Sequence, residues 1–130
     1  MSDSYKDVPP YATKHNAENC PVVREILNII GNKWSVLIIV LLEDGTLRFS
    51  ELQRSISGIS QRMLTLTLRE LERNGLLTRT VEPTVPPSVY YALTPLGETL
   101  LVHAKALAFW SLENHPAIEK AREKFANKNP

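Results

Sequence analysis

One cysteine among 130 residues excludes an internal disulfide framework. A chain of this length buries roughly two-thirds of its unfolded surface and needs no such staple. A lone thiol suits a reducing compartment, so a cytoplasmic location is expected. Long apolar runs are also missing. The longest, Val36 to Leu42, is far short of the roughly 20 residues that span a bilayer, and reads as core, with no membrane partner. Met1 to Asn19 is polar and is not expected to be a secretory signal. There is no phosphate-binding glycine loop, nucleophile elbow or HExxH motif. His15, His103 and His115 have no metal-ligand spacing with one another or with Cys20. The paired acids Glu43 and Asp44 sit beside Gly45 in a turn and read as solvated. No enzyme, metal site or cofactor is therefore expected.

Net charge is scarce too, at +1, but it is unevenly placed. Between Thr46 and Thr80 lie Arg48, Arg54, Arg62, Arg69, Arg73 and Arg79, against only Glu51, Glu70 and Glu72. Every base in this stretch is arginine, whose planar fork matches phosphate and the guanine edge. A solvated helix surface laced with ion pairs would use the same residues.

The order of local signals reads mostly helical. Residues 1–18, with Pro9–Pro10 inside, are expected to form a flexible arm. Pro21 suits the first position of a helix that Gly31 stops. Asn32 can cap a second helix from Lys33 to Leu42, although the apolar run after Val36 fits a buried helix or a buried strand equally well. A short strand is expected at Leu47–Phe49. Ser50-Glu51-Leu52-Gln53 matches a capping box for a helix ending near Ser55–Ile56. After a turn at Gly58, Ser60 can cap a longer helix reaching about Asn74, with Ile59 and Leu64 stapling its start. Leu64, Leu68 and Leu71 give that helix an inward face. Leu77–Glu82 and Val89–Leu93 read as a hairpin around the proline-stiffened loop Pro83–Ser88. Thr94-Pro95 opens a long helix with two apolar stripes, Leu96/Leu100/His103/Leu107 and Leu101/Ala104/Ala108/Leu112, more than one side of a small domain covers, so that either the helix is deeply buried or a partner chain covers it. His115-Pro116 is expected to start a last helix that sets Ile118, Ala121 and Phe125 on one face. The boundaries expected are thus 1–18, 19–113 and 114–130.

A short helix, a tight turn, a longer helix and a hairpin make a winged helix-turn-helix, in an α+β fold that is mostly α. The major groove admits one α-helix, and the second helix of such a motif lays its first turns across base edges. The expected contact residues are Gln61 for adenine, Arg62 for guanine, Thr65 for phosphate or a thymine methyl, and Leu66, Arg69 and Arg73 on the same outer side. Ser60 and the free N–H groups beside it suit a phosphate. Arg48 and Arg79 flank the helix as phosphate contacts, and the wing loop Pro83–Ser88, with Ser88 as its DNA contact, is expected to follow the backbone or the minor groove.

These residues also carry a resemblance. Cys20-Pro21, Ile30-Gly31-Asn32-Lys33-Trp34, Leu47-Arg48-Phe49-Ser50-Glu51-Leu52, Gly58-Ile59-Ser60-Gln61-Arg62-Met63-Leu64, Leu68-Arg69-Glu70-Leu71-Glu72, Asn74-Gly75-Leu76, Val85-Pro86-Pro87 and Tyr91-Ala92-Leu93-Thr94-Pro95-Leu96-Gly97 stand in order. The segment Cys20–Leu100 resembles the HxlR-type, MarR-like winged helix-turn-helix transcription regulators. The resemblance implies a homodimer on a pseudo-palindromic duplex DNA operator, and transcriptional control in bacteria. It implies pairing through the first and C-terminal helices, by Val22, Ile26, Leu101, Ala104, Ala108, Leu112, Ile118 and Phe125. It also makes Val36–Leu42 helical. Leu66 departs from the family, which usually carries a polar residue there.

Cys20 would sit at the start of the first helix, the kind of position where a thiol is activated. In some family members the matching cysteine senses oxidants or electrophiles, so a small-molecule or oxidant effector is a further expected partner; a small inert core residue is the alternative. Trp34 and Trp110 read as core and interface anchors, or as the lining of a ligand pocket between protomers. The other functional class compatible with the residues is a winged-helix protein-interaction module that never touches DNA.

Overall fold

The computed structural model describes residues 20–128; the expected arm at 1–18 lies outside them. Helix α1 spans Cys20–Ile30 and α2 spans Lys33–Leu41, followed by a 3-10 turn at Leu42–Asp44. Strand β1 (Leu47–Arg48), α3 (Phe49–Ser55), α4 (Gln61–Arg73), β2 (Leu77–Glu82), β3 (Ser88–Leu93) and α5 (Pro95–Lys128) complete the order. The sheet is antiparallel, with β3 between β1 and β2.

Local chemistry explains most boundaries. The Asn32 side chain accepts the Ser35 N–H at 2.9 Å and caps α2. Ser35, itself buried, donates its hydroxyl to the Ile29 carbonyl at 2.8 Å and ties α2 to the end of α1. The apolar run in α2 is helical, as the resemblance implies. Ile38 and Ile39 are buried in the centre of the domain with Leu42, Leu52, Ile56, Ile59, Leu64, Leu68, Leu71, Leu77 and Tyr91. Ile59 and Leu64 are both in this core, at the staple positions of α4. Among the described residues, no buried side-chain nitrogen or oxygen lacks a hydrogen-bond partner.

Two boundaries differ from the sequence reading. Helix α3 starts at Phe49, so Ser50 is inside the first turn and is not its cap. Arg48 takes that place, and its N–H donates to the Glu51 carboxylate at 2.9 Å. The reach-back half of a capping box exists, but two residues earlier than the Ser50–Gln53 pattern suggests. His115-Pro116 also opens no new helix: α5 is a single helix of 34 residues with Pro116 inside it. The proline removes one N–H, but strong helix formers on both sides, Leu112-Glu113 and Ala117 to Ala121, carry the helix through. The Asn114 side-chain amide donates to the Trp110 carbonyl at 2.9 Å just before it.

No single described helix is long and apolar enough to cross a membrane.

Candidate nucleic-acid interface

Helix α4 is aimed by its buried face and fixed at both ends. Leu64, Thr67, Leu68 and Leu71 are buried and set the inward side. At the start, the Ser60 hydroxyl accepts the Met63 N–H at 3.0 Å. At the end, Gly75 adopts φ +78, which an L side chain resists. That turn sends the Gly75 N–H to Glu72 O and the Leu76 N–H to Leu71 O, each at 3.0 Å, closing a Schellman motif. The turn between α3 and α4 buries Ile56 and Ile59, so the two helices cannot pivot apart without exposing core.

The outward side holds the expected set. Ser60, Gln61, Arg62, Thr65, Leu66, Arg69 and Arg73 are all exposed on one helix or at its cap. At 3.6 residues per turn, Arg62, Leu66, Arg69 and Arg73 share the strip opposite the buried leucines. Two members are already engaged. Thr65 donates its hydroxyl to the Gln61 carbonyl at 2.9 Å, which leaves its methyl and an acceptor lone pair and removes the proton a phosphate contact would need. Arg73 pairs with Glu70 through contacts of 2.8 and 3.3 Å. The Arg73 guanidinium holds the Glu70 carboxyl below its usual range, with help from Asn74, and Glu70 in turn raises Arg73. Among the described residues, Arg62 and Arg69 form no ion pair with an acid, and their forks stand ready for an outside acceptor.

The wing separates two residues that the sequence places together. Arg48 lies opposite Tyr90 and Arg79 opposite Tyr91, so strand alternation puts the two arginines on opposite faces of the sheet. Arg48 leans on the Tyr90 ring, 6.0 Å from its centroid. Arg79 shares a face with Leu77 and Tyr91, the face that packs toward the helices, but is itself exposed beyond the edge of that packing. Ser88 is half-buried, at the base of the loop, paired with Glu82.

A joint between α4 and α5 adds to what the sequence predicts. The Thr94 hydroxyl donates to Gly75 O at 2.6 Å and accepts the Gly97 N–H at 3.0 Å, while the Thr94 N–H donates to Leu76 O at 3.1 Å. Gly97 is buried here, and a Cβ on it would come within 2.2 Å of the Leu76 carbonyl oxygen. The only hint in the sequence was a Thr-Pro-Leu-Gly start to a helix, which reads as ordinary capping. The joint bolts the end of α4 to the start of α5. Beside it runs an apolar cleft of 370 Å³, lined by Ile26, Ile29, Leu76, Leu96, Leu100 and His103 among others.

The residues expected at a partner surface divide. Leu101 packs against the core and Ala104, 5% exposed, is part of it, because α5 crosses α2 there. Ala108 and Ile118 are half-buried. Val22, Ile26, Leu112 and Phe125 are exposed, and they are joined by Val23, Leu27, Val102, Leu107, Phe109 and Trp110. Trp34 is half-buried against the core, with the Lys33 ammonium 4.6 Å from its ring centroid, whereas Trp110 stands 54% exposed. Cys20 is half-buried at the first position of α1.

Comparison with known proteins gives a consistent result. The family model described as HxlR-like helix-turn-helix matches residues 29–119. The uncharacterised HTH-type transcriptional regulator YtfH of Escherichia coli is 46% identical over 110 residues, covering 85% of this chain and 86% of its own length. The solved structure of a ytfH transcriptional regulator from Salmonella typhimurium superposes with a TM-score of 0.75 at 46% identity, covering 78% of this chain and 90% of that one. The redox regulator HypR in its reduced form follows at a TM-score of 0.69 and 41% identity, covering 75% and 97%. With that match, those identities and the winged architecture, the chain belongs to the HxlR-like helix-turn-helix family of transcription regulators.

Proposed function

We propose that this regulator binds duplex DNA sequence-specifically as a homodimer in the cytoplasm, with no catalytic activity of its own. The observation that carries the reading is the outward strip of α4, where Arg62 and Arg69 stand exposed and uncommitted on a helix held rigidly at both ends. Gln61 and Arg62 lie in the first turn, where such helices meet base edges, and read adenine and guanine. Arg69 and the helix start at Ser60 take phosphates, and Arg79 and Ser88 position the wing along the backbone. The exposed apolar faces of α1 and of α5 beyond Ala108 support pairing of two protomers, which sets two copies of α4 on half-sites about one helical turn apart or more. The joint at Thr94 and Gly97 then carries any change in dimer geometry to α4.

The test is direct. A randomised duplex library is enriched on the full chain, and the winning sequence is titrated by fluorescence anisotropy. Arg62→Ala should lose about 1–3 kcal/mol on that sequence and little on unrelated DNA. Arg79→Ala should weaken all sequences alike and flatten the salt dependence. Equal binding of the enriched duplex by Arg62→Ala would remove the assigned face, and a chain that enriches no duplex would point to a protein-interaction module.

Likeness to a redox regulator supports an oxidant-responsive role for Cys20, by a disulfide between protomers, in which two thiols lose two electrons and two protons to the oxidant, or by addition of a thiolate to an electrophile. Diamide should release DNA from the wild-type protein and not from Cys20→Ser. Release from both would remove the thiol from the mechanism.

A further inference from the structure

Leu66 sits where a leucine has no structural reason to be. The leucines that hold α4 in place, Leu64, Leu68 and Leu71, are fully buried, whereas Leu66 is 45% exposed. It follows Arg62 by four residues and precedes Arg69 by three and Arg73 by seven, so three arginines surround it on the outward strip. Its neighbour Thr65 has its hydroxyl turned back to the Gln61 carbonyl. The centre of the proposed groove-facing surface is thus aliphatic, with cations around it. Exposed in water, that side chain gains nothing; it gains only if a surface presenting both negative charge and an apolar group covers it.

The major groove of DNA offers phosphates on its walls and a single apolar group on its floor, the C5 methyl of thymine. We infer that Leu66 is a specificity-determining residue that selects thymine in each half-site by packing on this methyl. The inference rests on the DNA-binding reading above and adds to it the identity of one base and the group by which it is read. A polar side chain at this point would compete for base donors and acceptors; leucine makes no hydrogen bond and discriminates by a methyl alone. Arg62, one turn earlier, fixes the register by its guanine contact, and Leu66 then reads a base further along the groove.

The experiment uses the full chain and the duplex enriched from the randomised library. Each thymine in turn is replaced by deoxyuridine, which lacks only the methyl. One thymine per half-site should be sensitive, with wild-type affinity falling about threefold to tenfold. Leu66→Ala should bind the unmodified duplex more weakly and lose the distinction between thymine and deoxyuridine at that position. Thr65→Ser, which keeps the hydroxyl and removes a methyl, should retain it. Wild-type indifference to deoxyuridine at every position would overturn the inference while leaving the DNA-binding reading intact, since Arg62→Ala would still lose affinity for the enriched duplex. A sensitivity that persists in Leu66→Ala and vanishes in Thr65→Ser would overturn it equally, by assigning the methyl to Thr65. If no duplex is enriched, both readings fall together.

Discussion

The helix-turn-helix with its wing and the pair of outer helices, α1 and α5, are built on opposite terms. The first closes on itself: α3, α4 and the sheet bury Leu52, Ile56, Leu64, Leu68, Leu71 and Tyr91 against one another and against α2. Its polar side is outside and its caps are satisfied. The outer helices leave their apolar side uncovered. No residue of α1 is fully buried, although Val22, Val23, Ile26 and Leu27 line one side of it. Helix α5 has only Gly97 and Ala104 buried along its whole length. The difference separates a half that one protomer closes by itself from a half whose apolar side it leaves open, the side assigned above to pairing.

That contrast breaks first if core and outer substitutions behave alike. Gly97→Ala should have the largest effect, because its Cβ meets a backbone carbonyl that has no rotamer to retreat into. A loss of about 3 kcal/mol or more is expected in chemical denaturation. Leu68→Ala, in the centre of the core, should cost about 2–5 kcal/mol. Both losses should be present at every protein concentration.

Trp110→Ala and Leu112→Ala should do the reverse. These side chains are 54% and 78% exposed in the protomer, so they contribute little to its own core. As anchors between protomers, each should weaken association by about 2 kcal/mol, roughly thirtyfold, in sedimentation equilibrium. The wild-type melting temperature should rise with protein concentration, and the variants should flatten that rise. A wild-type melting temperature independent of concentration would mean that the outer helices are not a subunit interface.

Smaller effects sharpen the contrast within the helix-turn-helix. Ser60→Ala removes the side-chain acceptor for the Met63 N–H and should cost about 1 kcal/mol. It should also loosen DNA binding of every sequence, since the helix start at Ser60 is the proposed phosphate contact. Retained stability would mean that water replaces the hydroxyl at no cost.

The sequence made the closed half far more legible than the open one. Caps at Asn32 and Ser60, the Asn74-Gly75 stop and the leucine spacing of α4 are local signals, each produced by residues within one turn, and the structure follows them. What escaped was non-local or conditional. The α4–α5 joint joins Gly75 to Thr94 across the hairpin, and no local pattern encodes it. The opposite facing of Arg48 and Arg79 depends on strand register, which spacing along the chain does not fix. Pro116 looked like a boundary because proline breaks an isolated helix, yet helix formers on both sides hold α5 together. Leu101 and Ala104 are expected to face a partner because the resemblance implies pairing through this helix, while the second stripe by itself allows either burial or a partner. The crossing of α2 takes up that stripe near its start and leaves it open only further along.

Glu70 tests how tightly the outward strip is rationed. It is the acid that holds Arg73, and both side chains are exposed. The pair restrains a guanidinium that otherwise belongs to the same strip as Arg62 and Arg69. Glu70→Gln should free Arg73 for a phosphate and remove a negative charge beside the proposed DNA-binding strip. The salt dependence of binding should then steepen by about one unit in log K against log salt, with tighter binding to unrelated duplex and a lower ratio of specific to non-specific affinity. Acid should act in the same direction on the free protein. The carboxyl titrates below its usual range because the folded pair favours its charge, so the stabilisation is complete above the ordinary carboxyl pKa and is lost as pH falls through the lowered value. If the Gln variant binds unrelated DNA with an unchanged salt slope, Arg73 stands too far along α4 to reach a phosphate, and the strip ends at Arg69.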